Sequence, residues 1–93
     1  MNLPKPKNQN AEVLYELIKN TFVTRKDLLL STGILNATAR ISNLRNKYLI
    51  EVHCDKIKTT NKFGRDITYG QWSVSKKVKD LELIKEAYDK INR

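Results

Sequence analysis

Base edges and similar planar donor–acceptor arrays are read by asparagine, threonine and arginine side chains, and one stretch of this chain concentrates them. From Asn36 to Lys47 the residues Asn36, Thr38, Arg40, Ser42, Asn43, Arg45, Asn46 and Lys47 are interleaved with small or apolar ones, and no Asp or Glu occurs. Side chains able to do other chemistry are scarce. His53 is the single histidine and Cys54 the single cysteine. Two adjacent ligands cannot close a zinc site that normally takes four, so no metal is expected. A lone cysteine forms no internal disulfide, which fits a reducing compartment. No catalytic dyad, phosphate-binding loop or cofactor motif is present, so neither an enzyme nor a small-molecule substrate is expected. His53 is expected to be exposed and Cys54 to be a small buried apolar residue.

The charge balance points the same way as the acid-free stretch. In 93 residues Lys and Arg number 18 and Asp and Glu 10, a net charge of +8 and a sequence pI near 9.8. An anionic partner is implied. Between residues 25 and 47 five cations stand against one acid. More than a quarter of the chain is Leu, Ile, Val or Phe. That exceeds the roughly 20% below which disorder is the better reading, so the chain should fold as one small domain. Apolar runs reach only three residues, as in Leu28-Leu29-Leu30. They are far short of the ~20 needed to cross a bilayer. With no apolar segment of the secretory kind near Met1, a cytoplasmic location is expected.

Patterning supplies the elements that must position these residues. Residues 1–9 hold two prolines and two lysines without periodicity and read as a flexible basic arm. Asn10 then caps a first helix whose buried face is Val13, Leu14, Leu17 and Ile18. Thr21-Phe22-Val23 is short and β-prone. Thr24 with Asp27 makes a capping box for a second helix, Arg25 to Ser31, expected to bury Leu28, Leu29 and Phe22 and to end at Gly33. Asn36 caps a third helix running to about Lys47, with Ala37, Ile41, Leu44 and Tyr48 as its inward stripe. Its remaining surface is polar or small, and a solvated face is the plain alternative to a binding one.

Next the period drops to two. Ile50, Val52 and Cys54 alternate with polar residues, and Ile67, Tyr69, Trp72 and Val74 form a second strand in which Gly70 is expected to mark a bulge. Tyr69 and Trp72 are assigned to packing. Between the strands Lys56, Lys58, Lys62 and Arg65 make a basic hairpin free of acids. A last helix, Val78 to Asn92, carries Leu81, Ile84, Tyr88 and Ile91 at heptad-like spacing. That stripe serves either dimerisation or docking onto the first helix.

Helix, short strand, helix, glycine turn, helix, hairpin is the element order of a winged helix-turn-helix domain. The stretch from Ala37-Thr38-Ala39-Arg40-Ile41-Ser42-Asn43-Leu44-Arg45 to Ile50 resembles the recognition helix and following turn of short winged helix-turn-helix DNA-binding proteins of the phage and prophage-encoded type. The similarity covers about residues 10 to 74. Asn43 stands where that family commonly has an acid, and the glycine that often precedes the aromatic is missing, so Lys47 adjoins Tyr48 directly.

The resemblance implies an α+β, mainly α fold, with a winged helix-turn-helix domain over residues 10–75 and an added helix over 76–93. It implies a sequence-specific regulator of transcription that binds double-stranded DNA. Asn36, Thr38, Ala39, Arg40 and Asn43 would contact bases in the major groove, and Arg25, Lys26, Arg45 and Lys47 the phosphate backbone. Lys56, Lys58, Lys62 and Arg65 of the wing would meet backbone or minor groove. Competing readings are a basic RNA-binding protein and a protein–protein adaptor on the same fold.

Overall fold

A computed structural model of the chain describes residues 3–93. Its elements follow in the order α1 (Gln9–Lys19), β1 (Val23–Thr24), α2 (Arg25–Thr32), α3 (Ala37–Asn46), β2 (His53–Thr60), β3 (Asp66–Ser73) and α4 (Val78–Ile91). Four helices and a three-stranded antiparallel sheet make this a compact α+β fold.

Among the described residues, α1, α2 and α3 start where a side chain takes up a free backbone donor, whereas α4 starts at Lys77 with no side-chain cap. Asn8, rather than Asn10, caps α1 by accepting from the Ala11 amide at 2.9 Å. In α2 the capping box is complete: Thr24 Oγ1 accepts from the Asp27 amide and Asp27 Oδ2 from the Thr24 amide. Gly33, at φ +75°, closes that helix in the left-handed region. Asn36 caps α3 through the Ala39 amide. The far end of α3 is closed without glycine. Leu49 takes φ +57°, and the amides of Tyr48 and Ile50 donate back to the carbonyls of Asn43 and Leu44.

One core joins every element except β2. Val13, Leu14, Leu17 and Ile18 of α1 meet Leu28 of α2 and Ala37, Ile41 and Leu44 of α3, with Tyr48 packed at the margin. Trp72 and Val74 close the sheet side, and Ile84, Tyr88 and Ile91 of α4 join the same cluster. The helix 2 expectation holds only for Leu28: Phe22 is 48% and Leu29 43% exposed. An eight-residue helix turns so little surface inward that one leucine fills its share.

The terminal stripe resolves as docking within the chain. Tyr88 is fully buried, with its ring tilted at 48° to that of Tyr15 on α1, and Ile84 and Ile91 are buried beside it while Leu81 packs at the edge. The arm reading is corrected at the same place. Met1 and Asn2 lie outside the described residues, but from Leu3 to Asn8 the segment is strapped to the end of α4. Tyr88 Oη donates to the Pro4 carbonyl, Asn92 Nδ2 to the Lys5 carbonyl, and Asn8 Nδ2 to the Ile91 carbonyl, while Asn92 Oδ1 accepts from the Lys7 amide. Local periodicity could not register bonds between residues more than eighty positions apart.

The sheet has the order β1-β3-β2. Val23 pairs with Trp72 and Thr24 with Gln71, and the β2–β3 hairpin runs without interruption from His53↔Ser73 to Thr60↔Asp66. Gly70 is therefore no bulge. It pairs in register with Lys56, and a Cβ there would come within 3.3 Å of the Cys54 sulfur. Without a bulge the alternation never shifts, so Tyr69 lies on the opposite face from Trp72 and is exposed. Cys54 is exposed too: it pairs with Trp72 but stands on β2, the edge strand of the sheet.

Candidate nucleic-acid interface

The polar and small residues of the α3 surface differ in exposure. The inward stripe sets the helix rotation, and a 100° step per residue then aims Ala39, Ser42 and Asn46 most directly outward. Ser42 and Asn46 are exposed and bonded to each other, Asn46 Nδ2 donating to Ser42 Oγ at 3.0 Å. Ala39 is half-buried and leaves an approaching surface room between them. Asn36 and Thr38 are exposed at the first turn. Asn43 is turned aside and half-buried, its Nδ2 3.4 Å from Asn10 Oδ1 on α1. Arg40 is half-buried as well, with its Nε shielded from solvent and lacking a hydrogen-bond partner.

Thus the outward ridge includes Ser42 and Asn46, which the resemblance did not single out, while Arg40 and Asn43 stand on its flank. A helical wheel drawn from Ala37, Ile41 and Leu44 already contained that signal.

Cations frame this ridge. Arg25, in the first turn of α2, donates from Nη2 to Thr38 Oγ1 at 2.9 Å and so holds its charge at the N-terminal end of α3. Lys26 is exposed next to it. Arg45 has another role than free phosphate contact: its Nε and Nη2 both donate to the Val52 carbonyl, at 3.0 and 2.6 Å. This clamp fixes the last turn of α3 against the residue preceding β2. Lys47 lies over the Tyr48 ring, 5.5 Å from its centroid, with its own side chain exposed.

On the hairpin Lys56, Lys58, Lys62 and Arg65 are all exposed, and among the described residues no carboxylate pairs with them. Lys56 and Lys58 share one face of the ribbon, with Cys54 and Trp72 on the same side nearer the core. Lys62 and Arg65 flank the tip.

Concave surface carries the opposite charge. A groove of about 330 Å³ between the 48–53 segment and α4 is lined by Glu51 and Asp80 together with Leu49, Leu83 and Ala87. Another, of about 420 Å³, is lined by Glu16 and Asp27 around Phe22 and Leu30. Neither contains a Lys or Arg. These two hollows thus hold carboxylates, while α2, α3 and the hairpin display cations. A partner that is anionic and itself grooved fits this relief.

Searches against protein-family models, curated proteins and solved structures return no match. Geometry alone carries the reading.

Two shifted groups lie away from this surface. Lys76 Nζ donates to the Leu17 carbonyl near the end of α1, and burial lowers its pKa below the ordinary lysine value. Burial, with Tyr15 and Asp89 nearby, raises that of the Tyr88 phenol. Both serve packing of the helices. No helix among the described residues is long and apolar enough to cross a membrane, and no group of three or more His, Cys, Asp or Glu is gathered there.

Proposed function

We propose that this chain binds double-stranded DNA as a winged helix-turn-helix protein and regulates transcription by occupying an operator, in the manner of the phage and mobile-element proteins that its third helix resembles. In this reading α3 enters the major groove and the β2–β3 hairpin is the wing. One observation carries it: the outward ridge of α3 and the 56–65 stretch of the hairpin are exposed and free of acids, while Glu16, Asp27, Glu51 and Asp80 line two grooves elsewhere. The strand order β1-β3-β2, with β1 lying between the first two helices in sequence, also supports the winged arrangement.

Roles follow from what each side chain can offer. Asn46 and Asn36 present amides suited to adenine, Thr38 and Ala39 present methyl groups to thymine, and Ser42 gives or takes one hydrogen bond. Arg25, Lys26 and the wing cations neutralise phosphates and set register. Arg45, already engaged with Val52, acts by holding wing and reading helix at a fixed angle. Arg40 and Asn43 reach DNA only at the flank.

Selection of bound duplexes from a random pool, followed by titration of variants, tests this. Asn46→Ala and Ser42→Ala should weaken the selected site by ~1 to 3 kcal/mol and relax preference at one base pair each. Lys58→Ala should weaken all duplexes alike. Equal losses on every sequence from all three would show that α3 reads no bases.

A further inference from the structure

At the tip of the wing stands a side chain that phosphate contact does not explain. Phe63 is 82% exposed, between Lys62 and Gly64. Leu35 and Leu49 are as exposed, but Phe63 alone of the three stands between cations at a hairpin tip, and burial of such a side chain on a partner is worth roughly 1.5 to 3 kcal/mol. The ring is displayed by an ordered turn. Asn61 Oδ1 accepts from the amides of Phe63 and Arg65 at 2.9 and 3.0 Å, its amide donates to the Arg65 carbonyl, and its carbonyl accepts from the Gly64 amide. Gly64, at φ +83°, supplies the left-handed residue the turn requires. Lys62 Nζ lies 5.1 Å from the ring centroid.

We infer that Phe63 is a wedge that enters the minor groove of duplex DNA and partly unstacks one base step, with Lys62 and Arg65 holding the phosphates on either side. The inference rests on the duplex-binding reading and adds to it a deformation of the DNA. Apolar wedges act in this way when backed by cations, because the kink draws more of the backbone onto basic surface. The tip matches that design: one ring, sized for one base step, cations on both sides, and no acid from Lys56 to Arg65. A membrane surface fits less well, since a single aromatic gives little insertion. Flexible pyrimidine–purine steps such as TA are the expected targets.

The test uses the full chain at low salt and a mixed-sequence duplex containing TA steps, with 2-aminopurine beside one step and a donor–acceptor dye pair at the ends. Wild type should raise the 2-aminopurine fluorescence and shorten the end-to-end distance. Phe63→Ala, at an exposed position that leaves the core intact, should still bind, about tenfold more weakly, with both signals lost. Phe63→Leu should restore part of each, as another apolar wedge. If Phe63→Ala binds, unstacks and bends as wild type does, the wedge is overturned while duplex binding stands. Phe63-dependent partition onto anionic vesicles without any unstacking of DNA would also overturn it. Failure of wild type to bind the duplex at all would defeat the underlying reading and the wedge with it.

Discussion

Leu49 illustrates how a single residue links α3 to the β2–β3 hairpin. Its φ of +57° lies in the region that glycine occupies easily, and its side chain is 84% exposed, so no packing compensates for the crowding of its Cβ. The left-handed conformation costs a non-glycine residue roughly 1 to 2 kcal/mol, and the extra freedom of glycine in the unfolded chain returns roughly 0.5 to 1. Leu49→Gly should therefore raise stability by about 0.5 kcal/mol, read as a higher midpoint in urea with an unchanged slope. A lower midpoint would mean that the leucine side chain contributes more than its exposure allows.

The sequence announces this position only as an absence, a glycine missing before Tyr48, and gives no hint that the left-handed residue would come after the aromatic instead. Arg45 is the complementary case. Its type suggested a phosphate contact, and only the proximity of the Val52 carbonyl, seven residues away, reveals that its donors are already used.

Among the elements, α2 is the least secured by burial, with Leu28 as its one buried side chain. Its start depends on the Thr24–Asp27 box, and its start also carries Arg25, the residue bonded to Thr38. Thr24→Ala should cost about 1 kcal/mol and speed amide hydrogen exchange in residues 25–32 ahead of α1 and α3. Uniform acceleration across all helices would contradict this local reading.

Elements held by short-range rules were legible in sequence: the capping box, the glycine closure, the Ala37-Ile41-Leu44 stripe and the buried face of α1 all stand where periodicity and caps put them. Elements whose surroundings are non-local were misread. The strap of residues 3–8 depends on Tyr88 and Asn92 at the other end of the chain. Cys54 and Tyr69 look like core by alternation, yet strand alternation assigns a face without saying whether anything covers it.

For the molecule as a whole, charge is sorted by relief. The chain measures 45 Å along its longest axis and about 25 Å across the others. Nine of its 18 cations lie at α3 and its end, the start of α2 and the hairpin, and two grooves are lined by carboxylates without Lys or Arg. Composition disclosed the excess of positive charge and the acid-free stretches. It could not disclose that Glu16, Asp27, Glu51 and Asp80 would line hollows, because that placement exists only once the chain is folded. In the proposed DNA-binding reading the burden of affinity falls on phosphate contacts.

Salt dependence measures that burden directly. Arg25, Lys26, Lys56, Lys58, Lys62 and Arg65 are the exposed cations assigned to phosphates, and each contact contributes about −0.9 to the slope of log K against log salt on B-form DNA. Titration of a labelled duplex across salt concentrations, with structured RNA as competitor, should give a slope of about −5 and a clear preference for the duplex. A slope near zero, or tighter binding to the RNA, would contradict the account.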